Sequence, residues 1–380
     1  MKMSDEELTF VEKYDLLGCI QCGRCTGGCP VSLRTPLNIR RFVYDTVNED
    51  QLEDLSGKNE IWDCTTCFTC AARCPKGLEP LEVLIGLRGI QIEEGKVQPT
   101  VRDALQSIFQ DGNPWGMPRA KRYEWAEGLD LKVLEPEEEE TTDVMLFLCC
   151  TDTYDPRVIK ATQALVKVLR AAGVDFGVIG EDESCCGSEV RRLGEEGLFE
   201  MCDEENVEMF NSYNVNRIVA ISPHCYNTFK KEYHNLKHPV LHYTELIAQL
   251  IEDGKLELPK EFKKVVTYHD PCFLGKQNDV YDEPRYILTR IPGIDFKDFD
   301  RCRDRSLCCE GGGGKMWVEG ESTEERLAEV RVKDAREMGA EVIAVACPFC
   351  LLTLEDATKV QGVDEEMAVM DILEILSEVL

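Results

Sequence analysis

Eight cysteines near the start of the chain fall into two runs of one spacing, Cys19-x2-Cys22-x2-Cys25-x3-Cys29-Pro30 and Cys64-x2-Cys67-x2-Cys70-x3-Cys74-Pro75. Three closely spaced thiolates wrap one corner set of irons in a [4Fe–4S] cubane, and the fourth cysteine of such a run serves the other cluster of a pair. By that pattern cluster one takes Cys19, Cys22, Cys25 and Cys74, and cluster two takes Cys64, Cys67, Cys70 and Cys29. The crossing staples the intervening segment to both clusters. C-x2-C pairs serve zinc as readily, but four-cysteine runs ending in Cys-Pro are far more typical of iron–sulfur sites. Two cubanes so arranged sit close enough to pass single electrons.

A duplication orders the cysteines of the second half. Aligning its two parts on strand-then-cysteine landmarks pairs Cys150 with Cys272, Cys185-Cys186 with Cys308-Cys309, and Ser222-Pro-His-Cys225 with Cys347-Pro-Phe-Cys350. Cys272, Cys308, Cys309, Cys347 and Cys350 then converge from loops at the ends of expected strands, where an open α/β sheet places its site. Five thiolates are one more than a cubane requires. The first repeat supplies Cys150, Cys185, Cys186 and Cys225, with Ser222 where its duplicate has Cys347. A serine hydroxyl is a poor replacement for a soft thiolate. The first site therefore keeps three readings: an ordinary four-cysteine cluster, an altered cluster, or buried cysteines with no cluster.

With these motifs the sequence resembles the iron–sulfur subunit of heterodisulfide reductase and its relatives, which fuse a two-cluster ferredoxin-like domain to a tandem cysteine-rich domain. The resemblance covers nearly the whole chain. Its specific marks are His269-Asp-Pro-Cys272, Cys308-Cys309 followed by a glycine run, and Cys347-Pro-Phe-Cys350. It implies that Cys272, Cys308, Cys309, Cys347 and Cys350 are catalytic and hold a noncubane [4Fe–4S] cluster at which disulfides are cleaved. Electrons would enter or leave singly through the two cubanes. Two residues depart from the family pattern: Glu310 follows the cysteine doublet where glycine is usual, and Ser222 leaves the first repeat degenerate. Degenerate first repeats resemble the cysteine-rich subunits of sulfite-reductase-linked complexes and of flavoprotein-to-quinone oxidoreductases. The resemblance thus also implies an alternative, an electron relay between a flavoprotein, such as an electron-transferring flavoprotein, and a membrane cytochrome or quinone-reactive subunit.

Other motifs carry less. Gly311-Gly-Gly-Gly-Lys315 is followed by Met316, where a phosphate loop needs Ser or Thr for magnesium; backbone room beside a cluster explains the glycines better. His224 and His269 neighbour proposed ligands and are read as structural. Cys149, Cys202 and Cys302 lie outside the repeat alignment, and lone cysteines are commonly small buried hydrophobes. Cys149, adjoining Cys150, is the main exception to that reading. Lys315 and the basic residues of 301–305 are read as surface ion-pair partners.

The elements that must position these residues follow from the pattern. The fold expected is α+β overall: a helical ferredoxin-type two-cluster domain over 1–110, a linker over 111–142, and a duplicated α/β cysteine-rich domain over 143–258 and 259–380. Asp111-Gly-Asn-Pro-Trp-Gly-Met-Pro118 is dense in turn formers, and Glu135-Pro-Glu-Glu-Glu-Glu140 is a self-repelling charge run, so that linker is expected to be solvated. Strands are expected at 144–149, 174–180, 217–222, 264–270 and 341–346, and helices at 156–172, 195–213, 283–290 and 323–338. Twenty cysteines without a secretory leader point to metal rather than disulfides. A formal net charge of −29 disfavours nucleic acid and anionic lipid as partners. With no run of eighteen apolar residues, the expectation is a cytoplasmic chain without a membrane span of its own, held at a membrane only through a partner.

Overall fold

The apolar runs that begin at Thr142 become two parallel sheets of four strands each in the computed structural model, which describes residues 9–47, 51–318 and 325–380. β1 (Thr142–Phe147), β2 (Phe176–Val178), β3 (Val215–Ala220) and β4 (Val240–His242) lie in the order β2-β1-β3-β4. β5 (Val265–Tyr268), β6 (Asp295–Phe296), β7 (Val342–Val345) and β8 (Ala368–Asp371) repeat it as β6-β5-β7-β8. All pairings are parallel, so each connection crosses over a face and covers it. The central strands are accordingly buried on both faces, Val144 to Phe147 and Ile343 to Val345 being inaccessible to solvent.

The expected strands and helices are present with ends shifted by a few residues. The helices run Ile159–Ala171, Glu196–Ser212, Asp282–Arg290 and Leu327–Glu337; positions 323 and 324 of the last expected helix lie outside the described residues. The short strands β4, β6 and β8 were not expected. β6 is two residues long and exists because Asp295 and Phe296 find Val265 and Val266 beside them, a property of the neighbour and not of local sequence.

The two repeats face each other about an approximate twofold axis. The first long helix of one packs on the last helix of the other: Ile159–Ala171 on Ile372–Val379, and Tyr243–Glu252 on Asp282–Arg290. Polar contacts tie this seam. Tyr243 donates to Asp371 Oδ1 at 2.8 Å, and Arg157 pairs with both Glu355 and Glu374. Residues 111–142 differ from the expected solvated linker. Trp125, Ala126 and Leu134 are buried in the first repeat's core, and Val133 bridges to Val178 at the edge of β2. The acidic run around Glu137 does lie largely exposed.

Ahead of them, short helical turns carry the two cysteine runs, and the helix Pro80–Glu93 supports them. That helix is apolar nearly all round, and it buries Leu81, Leu84 and Leu87, as expected of one enclosed between cluster loops and the first repeat.

Candidate iron–sulfur centres

Each N-terminal run turns through alternating left-handed residues: Gln21 (φ 58°) and Gly23 (φ 76°) in the first, Thr66 (φ 50°) and Phe68 (φ 67°) in the second. Non-glycine residues enter this region at a cost. Its recurrence at matching positions curls both loops so that their thiols face one point. Cys19, Cys22, Cys25 and Cys74 line one cavity. Cys29 crosses over to lie beside Cys64, Cys67 and Cys70. The structure therefore brings together the two crossed sets read from the spacing. Burial pushes the Cys64 thiol up to about 12, and raises Cys29 and Cys70 as well. Thiols massed in so dry a place need a cation to become thiolates, and this donor set fits iron.

In the second repeat, Cys272 follows β5, Cys308 and Cys309 lie on the loop before the glycine run, and Cys347 and Cys350 open the helix Pro348–Val360. Their sulfurs form a continuous row. Cys272 neighbours Cys308, Cys308 neighbours Cys309, and Cys350 neighbours Cys347, while Cys309 Sγ and Cys350 Sγ lie within hydrogen-bond distance, 3.3 Å apart. All are buried. His269 adds a ring nitrogen within 4.8 Å of the Cys309 and Cys350 sulfurs, and its Nδ1 has no partner among the described residues. Burial, then the nearby Arg331, depresses His269 to about 3 and keeps it neutral.

His224 comes from the first repeat yet belongs to this site. Its ring neighbours Cys347, stacks on Phe273 at 4.0 Å, and pairs through Nδ1 with Glu189 at 3.0 Å. Burial opposes its charge, but Cys347 and Glu189 together raise it to about 10. Cys347 answers: against burial, hydrogen bonds with Cys350 and His224 hold it down to about 5. The reading of His224 as a purely structural histidine missed this contact, because the partner lies 123 residues away in the other repeat.

The second ferredoxin-type site abuts the five-cysteine site directly. Cys67 is a neighbour of Cys308, and Cys308 Sγ donates to Thr65 Oγ1 at 3.4 Å. The glycine run makes this approach possible. A Cβ on Gly313 (φ 70°) would stand 2.8 Å from the Cys64 carbonyl oxygen. Lys315, expected on the surface, instead reaches the Trp62 carbonyl and Asp63, whereas Arg301 and Arg303 do make exposed ion pairs, with Asp334 and Asp282. On the outer side a groove lined by Cys309, Glu310, Lys315, Arg326 and Thr353 opens beside the thiols.

In the first repeat Cys150 neighbours Cys185, Cys185 neighbours Cys186, and Cys186 neighbours Cys225. Ser222 caps the short helix behind it, accepting from the His224 amide at 3.3 Å. Cys149, outside the repeat alignment, is a neighbour of Cys225. The buried Arg122 donates to Cys150 Sγ at 3.3 Å and pairs with Glu183 at 2.6 Å. Cys202 and Cys302 stand outside both rows of neighbouring sulfurs. All twenty cysteines are free thiols.

The fold and these grouped thiols define an iron–sulfur oxidoreductase, a helical dicluster domain followed by a duplicated cysteine-rich domain. Residues 15–78 match the 4Fe-4S dicluster domain family, and residues 144–230 and 266–355 each match the Cysteine-rich domain family. The chain belongs to the family of the heterodisulfide reductase iron–sulfur subunit and related iron–sulfur oxidoreductases. It is 31% identical to a subunit of the dihydromethanophenazine:CoB–CoM heterodisulfide reductase of Methanosarcina mazei, with 99% of this chain and 96% of that protein covered. It is 33% identical to the probable iron-sulfur-binding oxidoreductase FadF of Bacillus subtilis and 31% identical to the EtfAB:quinone oxidoreductase of Syntrophomonas wolfei, matching with 98% of its length in each case. It spans only 61% and 59% of those two longer proteins. A crystal structure of a hypothetical protein from Helicobacter pylori shares the fold, with a TM-score of 0.58 at 10% identity over 98% of this chain and 73% of that one. Among the described residues no helix is long and apolar enough to cross a membrane.

Proposed function

We propose that the chain carries single electrons through cubanes at Cys19/22/25/74 and Cys64/67/70/29 to or from a noncubane [4Fe–4S] site at Cys272, Cys308, Cys309, Cys347 and Cys350. There a disulfide takes up two electrons and two protons and leaves as two thiols, or the reverse. The observation that carries this reading is the junction of the second cysteine run with the second repeat, where Cys308 Sγ bonds to Thr65 Oγ1 at 3.4 Å and Cys67 is a neighbour of Cys308, so that a one-electron site adjoins a five-thiol site. When bound, the clusters supply the redox chemistry itself. The chain's residues supply the rest. Cys309 meets the open groove, so substrate sulfur reaches the site from that side, and Lys315 and Arg326 on the groove wall suit an anionic thiol. His224, held by Glu189, stands 3.0 Å from a carboxylate and next to Cys347, able to hold a proton at the site. Thr65 steadies Cys308.

A second reading has its own support. The relative named EtfAB:quinone oxidoreductase favours a relay from a flavoprotein to a membrane quinone-reactive or cytochrome subunit, in which no disulfide reacts. Electron paramagnetic resonance on anaerobically purified, iron-quantified protein separates the two. The protein is oxidised with and without coenzyme M, coenzyme B and other thiols. A new signal elicited by one thiol and abolished in Cys309→Ser is the outcome the disulfide reading expects. Spectra indifferent to every thiol transfer the assignment to the relay.

A further inference from the structure

We propose that Cys149 is the fifth thiolate of a second five-cysteine iron–sulfur site, built in the first repeat with Cys150, Cys185, Cys186 and Cys225. The proposal rests on the reading that the matching row in the second repeat holds a cluster.

The two rows of sulfurs have one connectivity. In the second repeat the order of contact is Cys272, Cys308, Cys309, Cys350, Cys347. In the first it is Cys150, Cys185, Cys186, Cys225, Cys149. The first four members are partners in the sequence alignment. The fifth is not: Cys149 sits opposite Pro271, and Ser222 opposite Cys347. Where the helix start carries Ser222 and no thiol, Cys149 at the end of β1 offers one beside Cys225. Two substitutions at unrelated places in the alignment thus cancel in space.

Local structure holds Cys149 in place. Its amide donates to Asp152 Oδ2 at 3.0 Å and its carbonyl accepts from the Asp152 amide at 2.9 Å. Arg122, 2% exposed, faces Cys150 at the far end of the row, and a buried cation there offsets the charge of thiolates gathered in a dry site. A buried cysteine serving only as a small hydrophobe needs neither the sulfur row nor the cation. The residue before Cys225 is His224, whose ring touches Cys347, so the new site adjoins the second repeat's site. The four sites then follow one another as neighbours through the molecule.

The test is iron and acid-labile sulfide per chain, with Mössbauer spectra, on anaerobically reconstituted full-length protein. Four clusters require about 16 irons in the wild type. Cys149→Ser should lose about four of them or convert one cluster to the spectrum of a four-thiolate cubane. Cys149→Ser/Ser222→Cys, which restores the second repeat's arrangement, should recover the wild-type content and spectrum and so excludes misfolding as the cause. Wild-type iron and an unchanged spectrum in Cys149→Ser overturn the proposal, as does a loss no greater than in Cys202→Ser. Cys350→Ser reports separately on the second repeat: if it loses no iron, the underlying reading fails whatever Cys149 does.

Discussion

The position after each cysteine doublet shows how much one residue's backbone decides. In the first repeat it is Gly187, at φ 71°; in the second it is Glu310, at φ 66°. The same left-handed turn is required in both because the following amide donates back to the first sulfur of the doublet, Gly187 to Cys185 at 3.5 Å and Glu310 to Cys308 at 3.3 Å. Glu310 tolerates the strain and gains a hydrogen bond from the Leu327 amide at 2.8 Å. The glycine function has moved downstream to Gly313. Its missing Cβ lets the loop lie on the backbone of Cys64 and Thr65, with Thr65 carbon 2.6 Å from where that Cβ would be. Gly313→Ala is therefore expected to destabilise the chain by about 1–3 kcal/mol, through overpacking and a strained φ together. Anaerobic denaturant unfolding checks it, and an unchanged midpoint would contradict the close approach.

At the scale of elements, the helix Ile372–Val379 is fixed by its cap. Asp371 Oδ1 accepts from the Leu373 amide at 3.0 Å and from the Tyr243 hydroxyl at 2.8 Å, so one carboxyl starts the helix and ties it to the other repeat. Burial pushes that carboxyl up to about 7 in spite of both hydrogen bonds. An acid whose folded value is raised is protonated in the fold while the unfolded chain, near the ordinary value of about 4, has released its proton. Its contribution to stability is complete below about pH 4, declines as pH rises and is gone above about pH 7. Between pH 5 and pH 8 the Asp371→Asn variant should lose less stability than the wild type, by on the order of 2 kcal/mol. Parallel denaturation at the two pH values measures it; equal slopes would show that Asp371 is ionised throughout.

Across the whole molecule, Arg88 joins all three parts of the chain. It is fully buried and donates to the carbonyls of Ile61 at 2.8 Å and Cys64 at 2.6 Å in the second cysteine loop, of Arg192 at 2.7 Å in the first repeat, and of Gly313 at 3.0 Å in the second. Its side chain also lies over Trp62, 5.0 Å from the ring. The contact of Cys67 with Cys308 depends on this junction, because the same carbonyls position both loops. Arg88→Met keeps the volume and removes every donor, stranding at least three carbonyls at about 1–3 kcal/mol each. A loss of at least about 3 kcal/mol in anaerobic unfolding is expected, together with weaker magnetic coupling between the neighbouring clusters. Retained coupling would mean that Arg88 is not what holds the second cysteine loop against the second repeat.

Residue order alone was enough for the grouping of the cysteines and for the repeat. Sulfur spacing in Cys19 to Cys29 and Cys64 to Cys74 is local, so the crossed sets could be written down from it. The long strands and helices were legible for the same reason, since burial on one side or two is written into each segment's own periodicity. What lies between segments was not. β6 is too short to have a pattern and is defined by its partner. The packing of residues 111–142 on the first repeat depends on a sheet whose strands come later in the chain. His224 was read as structural, and Cys149 was singled out only for adjoining Cys150, because alignment compares positions along a chain, whereas a thiol or an imidazole joins a site by distance alone. Pro271 and Ser222 mark where the repeats diverge in sequence; only the folded molecule brings Cys149 and Cys225 together and sets the second cysteine run against the second repeat.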